Sequence, residues 1–347
     1  MSDIIVAPEM RDLDVLSLQL GAWLAGKIEG AQNLFVTDLS YPRGAGQSHE
    51  TILFSASWSD GALDGVVRIK PGGFTVFPDN LFEEQFRIMQ VMHESGLVRV
   101  AEPLWMETDT SILGRPFFIM RKVAGRVPVS VPPYSESGWV FDASPEQRRV
   151  IWEDSVRQLA AVQRVPLNAA RFLEGPSHAR EGLAQEFDKY RRFARWLAED
   201  AEFHPLTAII DRGLDRLESQ WPANPPEGIV WGDARLGNMM FGDDFRVKAV
   251  MDWEQPSLGG ALHDLSWFIT MAEVWHNRPG KPWFAGMGSR AETIALWQEV
   301  CGKSADDLEW FEDFTRVKMS CTGIRLDQLR GTRTYSVEGL AKRLKVG

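Results

Sequence analysis

Three polar residues in the middle of the chain have types and spacing that suit a site for metal and phosphate. Asp233 and Asn238 lie five residues apart between hydrophobic runs, and Asp252 follows the strand-like run VKAVM. Phosphoryl transfer requires an aspartate that orients the acceptor hydroxyl and oxygen ligands that hold Mg²⁺. Arg235 adds a positive charge beside them. This set favours phosphoryl transfer, although Asx turns would also place Asp and Asn in such a loop.

Glycine and positive charge upstream add contacts that a bound phosphate needs. The turn-rich stretch RGAGQS contains Gly44, Gly46, Gln47 and Ser48. Backbone N–H groups approach phosphate oxygens closely where glycine adds no side chain. The strand-like run GVVRIK carries Arg68 and Lys70 on one face. Taken alone, a hairpin turn and a solvated strand face would explain these two segments equally well.

Hydrophobic periodicity predicts the elements that position these residues. Helical spacing covers residues 9–28 and resumes after Asp79 or Asn80, either of which suits an N-cap. Short apolar runs predict strands at 33–40, 49–58, 65–70, 101–107 and 115–121. The first part of the chain is therefore predicted to be β-rich, with a leading helix and one long internal helix.

Beyond Gly125 the composition changes to a helical pattern. A Pro- and Ser-rich stretch leads to helices predicted near 146–164, 181–200, 204–220, 261–276, 290–301 and 305–330. A compact strand and loop region at 229–252 interrupts them and carries Asp233. We predict an α+β fold with a first lobe at 1–122 and a mostly helical second lobe at 123–347.

Several segments, taken in order, resemble one family. IVWGDARLGNMMF is similar to the H-G-D-x-x-x-x-N signature of the aminoglycoside phosphotransferase and choline kinase-like superfamily, and VMDWEQPSLGGALHDLSWF resembles its DWE…G…DLA segment. GQSHET, VVRIKP and GDARLGN are similar to the phosphotransferase domains related to kinase domains joined to acyl-CoA dehydrogenases. The resemblance spans residues 33–270. It implies a protein kinase-like two-lobed fold and an ATP- and Mg²⁺-dependent small-molecule kinase.

The resemblance implies a role for each matched residue of the second lobe. Asp233 matches the catalytic aspartate, and Arg235 matches the cation that faces the γ-phosphate. Asn238 and Asp252 match the Mg²⁺ ligands. Asp264 matches a buried aspartate that braces the catalytic loop.

The resemblance extends to the nucleotide contacts of the first lobe. The family's phosphate-covering turn falls on Gly44, Gly46, Gln47 and Ser48. Arg68 matches the phosphate-pairing cation, with Lys70 as the alternative. The stretch FFIMRKVAG resembles the hinge, whose backbone from Met120 to Val123 would bind adenine.

Three positions depart from the family pattern. Trp231 replaces the usual histidine before Gly-Asp, where a packing role is expected. Gln85 aligns with the helix glutamate that pairs with the strand cation, whereas Glu83 and Glu84 are turned away by helical geometry. Gln163 stands where relatives often have Leu-His, and we expect it to be structural. These departures leave open a nucleotide-binding pseudokinase without turnover.

The retained residues favour a working kinase of a small hydroxylated acceptor. Asp233, Asn238 and Asp252 are all present, whereas catalytic relics tend to lose them. The short segment between Asp252 and Asp264 leaves little room for the peptide-docking loop of a protein kinase. Acidic residues at 306–313 would suit a cationic acceptor or a solvated helix face. The kinship with acyl-CoA dehydrogenase fusions suggests a hydroxyacyl metabolite instead.

Composition and charge limit the expected partners. The chain of 347 residues has 38 basic and 48 acidic side chains, a net charge of −10, and no basic run. Nucleic acid and anionic membranes are therefore unfavourable partners. We expect a cytoplasmic protein without a membrane segment, whose Cys301 and Cys321 are reduced thiols. Nothing in the sequence indicates an oligomeric state.

Overall fold

The computed structural model of the protein describes residues 11–42, 50–72, 75–174, 181–277 and 280–347. Its α-helices are α1 (Leu13–Lys27), α2 (Phe82–Ser95), α3 (Thr110–Leu113), α4 (Trp139–Asp142), α5 (Pro145–Val162), α6 (Gly182–Leu197), α7 (His204–Ser219), α8 (Leu262–His276), α9 (Arg290–Cys301), α10 (Leu308–Arg330) and α11 (Val337–Arg343). Its strands are β1 (Phe35–Ser40), β2 (Glu50–Trp58), β3 (Gly61–Ile69), β4 (Pro103–Glu107), β5 (Phe117–Arg121), β6 (Met239–Phe241) and β7 (Val247–Val250). The predicted α+β class is confirmed.

The chain forms two compact units. The first contains residues up to 75 together with 100–124, and the second contains 76–99 together with 125–347. The helix α2 therefore belongs to the second unit, although it lies between strands of the first unit in the sequence. The lobe boundary between residues 122 and 123 stays a prediction.

A five-stranded antiparallel sheet organises the first unit. Its strand order is β1-β2-β3-β5-β4. The β2–β3 hairpin pairs Glu50 with Ile69 at one end and Trp58 with Gly61 at the other. The helix α1 buries Leu16, Leu20, Trp23 and Leu24, so the apolar helical spacing read from the sequence is confirmed. These side chains form one core with the sheet residues Ile52, Phe54 and Val67.

The starts of the two early helices differ in their capping. Asp12 caps α1 by accepting hydrogen bonds from the backbone N–H groups of Asp14 and Val15 at 3.0 and 3.2 Å. The helix α2 begins after Leu81 without any side-chain cap. The prediction that Asp79 or Asn80 caps this helix is wrong. The Asp79 carboxylate instead pairs with Arg192 of α6 at 3.4 Å, so a contact distant in sequence replaces the local cap.

Helices packed around a short hairpin form the second unit. The long helix α10 packs against α6, α7 and α8, and α5 packs against α9. The hairpin of β6 and β7 pairs Met239 with Val250. Gln163, at the end of α5, is buried and donates from Nε2 to the carbonyl oxygen of Ile229 at 2.8 Å, which confirms a structural role. In the described part of the chain, no helix has the length and apolar character needed to span a bilayer.

Candidate active site

The loop formed by residues 231–238, here called the 231–238 loop, leads into β6. Gly232 has φ 106°, and a Cβ at this position would lie 2.7 Å from the carbonyl oxygen of Gln255, so glycine is required there. A 3₁₀ turn at Leu236–Asn238 ends the loop. The backbone N–H of Met251 donates to the carbonyl oxygen of Asn238 at 2.8 Å. The β6–β7 hairpin therefore brings Asp252, the residue after Met251, beside the end of this loop.

Both carboxylate oxygens of Asp233 accept hydrogen bonds. Oδ2 accepts from Asn238 Nδ2 at 2.6 Å and from Arg235 Nε at 3.0 Å. Oδ1 accepts from the indole Nε1 of Trp267 at 2.9 Å. The side chain of Asp233 nevertheless stays 28% exposed. The carboxylate is therefore held in one orientation while part of it remains open to an incoming molecule.

Trp267 is a site residue that the sequence analysis missed. It lies on α8, three residues after Asp264, so the two side chains occupy the same side of that helix. Asp264 accepts from the backbone N–H groups of Trp231 and Gly232 at 2.6 and 2.9 Å. The helix α8 therefore contacts the 231–238 loop twice, through the backbone before Asp233 and through the Asp233 carboxylate. The three-residue spacing of Asp264 and Trp267 on a predicted helix was the sequence signal that could have identified Trp267.

The electrostatics of Asp264 follow from its burial. The side chain is 1% exposed, and burial raises the pKa of its carboxyl group to about 6. The hydrogen bonds from Trp231 and Gly232 act in the opposite direction and favour the ionised form. The contacts of Asp264 are those of the loop brace that the family resemblance implies.

Trp231 occupies the position where histidine was expected. Its indole ring is fully buried and donates from Nε1 to the carbonyl oxygen of Met251 at 2.7 Å. The ring also packs against Trp253, with the ring centroids 5.8 Å apart. Trp231 therefore attaches the start of the 231–238 loop to the segment that carries Asp252, as the expected packing role requires.

The side-chain oxygens of Asn238 and Asp252 are of the type that binds Mg²⁺. The Asn238 amide donates from Nδ2 to both the carboxylate and the backbone oxygen of Asp233, at 2.6 and 3.0 Å, which turns its Oδ1 away from that residue. Asp252 adopts φ 63°, a left-handed backbone conformation at the end of the hairpin. An amide oxygen and a carboxylate are hard oxygen ligands, and Mg²⁺ is commonly held by one or two carboxylates with substrate phosphates. Asn238 and Asp252 are therefore the residues that could supply oxygen ligands to the ion.

A buried charge cluster lies behind Trp267. Lys318 Nζ is 3.1 Å from Glu186 Oε1 and 5.9 Å from the centroid of the Trp267 ring. Burial opposes ionisation of Glu186, but the neighbouring Lys189 and Lys318 outweigh it and lower the pKa of that carboxyl group. Burial, reinforced by Lys318, lowers the pKa of His263 to about 3, so this imidazole is neutral at physiological pH. Lys318 is thus the member of this cluster that lies within cation–π distance of the Trp267 ring.

The cations predicted to pair with phosphate lie in the first unit. Arg68 is on β3, where it is opposite Thr51 and Phe118 in the sheet register. The strand β3 ends at Ile69, so Lys70 is the first residue beyond it, and its backbone N–H donates to the carbonyl oxygen of Pro116 at 2.9 Å. The phosphate-covering turn lies outside the described residues, as do its members Gly44, Gly46, Gln47 and Ser48.

The structure also describes the predicted adenine-binding hinge and the α2 residue expected to pair with the strand cation. Met120 is on β5 and pairs with Val66, and Val123 lies just beyond the end of that strand. Gln85 of α2 is 1% exposed, and neither of its side-chain polar atoms has a hydrogen-bond partner among the described residues. The nucleotide roles of Arg68, Lys70, Met120 and Val123 stay predictions.

Sequence comparisons place the chain among phosphotransferases. The model of the "Phosphotransferase enzyme family" matches residues 42–302. "Probable acyl-CoA dehydrogenase IBR3" of Arabidopsis thaliana is 24% identical over 230 residues, which cover 65% of this chain and 27% of that protein. "Acyl-CoA dehydrogenase family member 11" of Homo sapiens is 27% identical over 208 residues, which cover 58% of this chain and 24% of that protein. The chain thus spans about a quarter of the length of these relatives.

Solved structures share the fold. A provisionally assigned aminoglycoside phosphotransferase from Ralstonia eutropha has a TM-score of 0.65 and 24% identity, covering 94% of this chain and 93% of that one. APH(2")-IIia, solved in complex with GDP and kanamycin, has a TM-score of 0.56 and 13% identity, covering 94% and 97% of the two chains. The predicted kinase-like fold is confirmed by these likenesses. Because the family model matches residues 42–302, well over half of the sequence, the chain belongs to the phosphotransferase enzyme family.

Proposed function

We propose that this protein transfers the γ-phosphoryl group of ATP, with Mg²⁺, to a hydroxyl group of a small molecule. The observation that carries the proposal is the hydrogen bonding of Asp233, whose two oxygens are held by Asn238, Arg235 and Trp267. An acceptor hydroxyl that donates to this carboxylate would be oriented for in-line attack. Most of the catalytic effect in phosphoryl transfer comes from such positioning and from charge stabilisation.

The remaining residues of the site would hold the nucleotide phosphates. Arg235 Nη1 donates to Ser130 Oγ at 3.0 Å while Nε bonds to Asp233, which fixes a positive charge beside the acceptor position. Asn238 and Asp252 would hold Mg²⁺ through their side-chain oxygens. When bound, the ion would neutralise charge that develops on the phosphate oxygens.

The first unit would bind the rest of ATP. We assign the phosphate contacts to Gly46, Gln47 and Ser48 and to Arg68, with Lys70 as the alternative cation. The backbone from Met120 to Val123 would bind adenine. These assignments rest on the family pattern. The names of the acyl-CoA dehydrogenase relatives suggest a hydroxyacyl acceptor.

The alternative function is that of a nucleotide-binding pseudokinase. Gln85 favours it, because this residue replaces the helix glutamate of the family and has no hydrogen-bond partner in the described part of the chain. The retained Asp233, Asn238 and Asp252 favour turnover. Detection of ADP release above the rate of acceptor-free hydrolysis would exclude the pseudokinase.

Calorimetric titration of ATP, with and without Mg²⁺, tests the nucleotide site. We expect wild-type protein to bind ATP more tightly with Mg²⁺, and Asp252→Ala to lose that gain because the ion loses an anionic ligand. Asp244→Ala is the matched control, since this exposed carboxylate pairs with Lys248 at 3.2 Å and lies outside the site. No binding to the wild type would contradict the proposed function, and an unchanged Mg²⁺ gain in Asp252→Ala would remove Asp252 from its role.

A further inference from the structure

Lys318, on the long helix α10, carries a buried positive charge to which the proposed reaction gives no role. Its side chain is 3% exposed, and its Nζ atom pairs with Oε1 of Glu186, on α6, at 3.1 Å. Glu186 is itself closely packed, because a Cβ added at Gly259 would lie 2.7 Å from Glu186 Cβ. The ion pair is therefore enclosed by tightly packed atoms of the second unit.

Stability alone does not explain an ammonium group at this position. Burial of two charges costs free energy that their mutual attraction often fails to restore, so apolar residues of similar volume are frequently as stable or more stable. The pairing around Glu186 is also incomplete. Glu186 Oε2 and Lys189 Nζ lie 4.0 Å apart, and neither atom has a hydrogen-bond partner among the described residues. The aromatic neighbours of Lys318 offer another reason for a cation here.

Three aromatic rings lie close to the Lys318 ammonium group. Its Nζ atom is 5.0 Å from the ring centroid of Tyr190, 5.8 Å from that of Phe314 and 5.9 Å from that of Trp267. A cation within about 6 Å of a ring centroid is attracted by the ring face, and more strongly when it is removed from water. Trp267 differs from the other two rings because its Nε1–H donates to Asp233 Oδ1 at 2.9 Å. A single indole ring therefore separates Lys318 from the Asp233 carboxylate.

Packing of α8 against α10 fixes the position of Lys318 relative to Trp267. Ser266 Oγ and Thr315 Oγ1 share a buried hydrogen bond of 2.7 Å. Ser266 directly precedes Trp267, and Thr315 lies about one helical turn before Lys318. In surroundings of low dielectric constant, polar groups polarise one another, so a positive charge near the indole ring makes its N–H a stronger donor.

We propose that Lys318 is a positioning residue for phosphoryl transfer, which acts through the Trp267 ring to hold the Asp233 carboxylate in the orientation that receives the acceptor hydroxyl. The inference rests on the proposed function and adds a residue of α10 to the site. The ammonium group attracts the ring and strengthens the hydrogen bond from Nε1 to Oδ1. Loss of the charge should therefore lower kcat and leave the affinity for ATP unchanged.

Solvent exchange of the Trp267 indole proton, followed by NMR, tests the proposal without any ligand. Its signal is the one among the 14 tryptophans that is missing from Trp267→Phe. Lys318→Met combined with Glu186→Gln removes both charges at nearly constant volume and leaves no buried carboxylate unpaired. We expect this double variant to exchange the proton about 2- to 30-fold faster, from the strength of cation–π contacts. Unchanged exchange overturns the inference.

Two further variants control the exchange measurement. Arg325→Met is matched to the charge removal, because the Arg325 guanidinium lies on the same helix, 4.2 Å from the ring centroid of Trp196, and it should leave exchange at Trp267 unchanged. If the double variant does not fold, Lys318→Gln replaces it, since its neutral amide can still donate to Glu186. The same acceleration is expected of it, and its absence overturns the inference.

Hydrolysis of ATP with water as the acceptor extends the test to the reaction. We expect the double variant to lose about 2- to 30-fold in kcat at unchanged ATP affinity, and the same changes to cost almost nothing in a Trp267→Phe background. Equal losses in both backgrounds indicate a structural role and overturn the inference. A wild type that neither binds nor hydrolyses ATP contradicts the proposed function, whereas proton exchange still decides whether Lys318 acts on Trp267.

Discussion

The buried carboxyl group of Asp264 should make the free energy of unfolding depend on pH. Burial raises its pKa from 3.8 to about 6. Because the folded state then binds the proton more tightly than the unfolded state, this stabilisation is complete below about pH 4 and is lost as the pH rises through 6. A rise of about two pKa units corresponds to about 3 kcal/mol at 1.36 kcal/mol per unit. About 2 kcal/mol of this stabilisation is lost between pH 4.5 and 7.5.

Urea unfolding of the wild type and of Asp264→Asn over this pH range measures the effect. The variant cannot titrate at this position, so the difference in unfolding free energy, wild type minus variant, should fall by about 2 kcal/mol as the pH rises. Titration of other groups largely cancels in the difference. Asp244→Asn is the control, since hydrogen bonds from Arg246 and Lys248 lower the pKa of that exposed carboxyl group below 3.8, so its difference in unfolding free energy should stay nearly constant over this pH range. A constant difference for Asp264→Asn would refute the raised pKa.

Three further predictions concern turnover and nucleotide binding. Asp233→Asn should bind ATP normally but lose about 10²–10⁴-fold in acceptor-dependent ADP release, and retained turnover would contradict its role as base. Trp267→Phe removes a hydrogen bond to a charged group worth about 1.5–3 kcal/mol, so kcat should fall about 10- to 100-fold. Trp310→Phe, which loses an indole hydrogen bond to a backbone carbonyl remote from Asp233, should leave kcat unchanged, and equal losses in both variants would exclude a positioning role. Either Arg68→Ala or Lys70→Ala should weaken ATP binding in calorimetry, and two unaffected variants would show that the strand assignment is wrong.

Sequence patterns predicted those elements whose determining residues lie within a few helical turns of one another. The helix α1 follows from apolar residues at helical spacing, and Leu16, Leu20 and Leu24 are buried as expected. The start of α2 was predicted incorrectly, because Asp79 pairs with Arg192 rather than with the helix N-terminus. A cap residue can be recognised from sequence, but a competing partner more than a hundred residues away cannot.

The sequence by itself determined the chemistry of the 231–238 loop. Asp233 and Asn238 are close enough in the chain that one loop and a 3₁₀ turn bring their side chains within 2.6 Å, and a short hairpin returns the chain to Asp252. Family resemblance then follows from residue types and spacing alone. The acidic residues near the start of α10 could not be assigned in this way, since a run of acids suits both a solvated helix face and a cation site.

Only the tertiary structure decided how the Asp233 carboxylate is held. The indole of Trp267 reaches Asp233 because α8 packs beside the loop, and Tyr134 meets Trp275 across more than a hundred residues of sequence. Local backbone hydrogen bonds and side-chain spacing specify helices and turns, and they are readable from short windows. Contacts between distant segments depend instead on how whole elements pack, so the hydrogen bond from Trp267 to Asp233 forms only when the helices of the second unit are assembled.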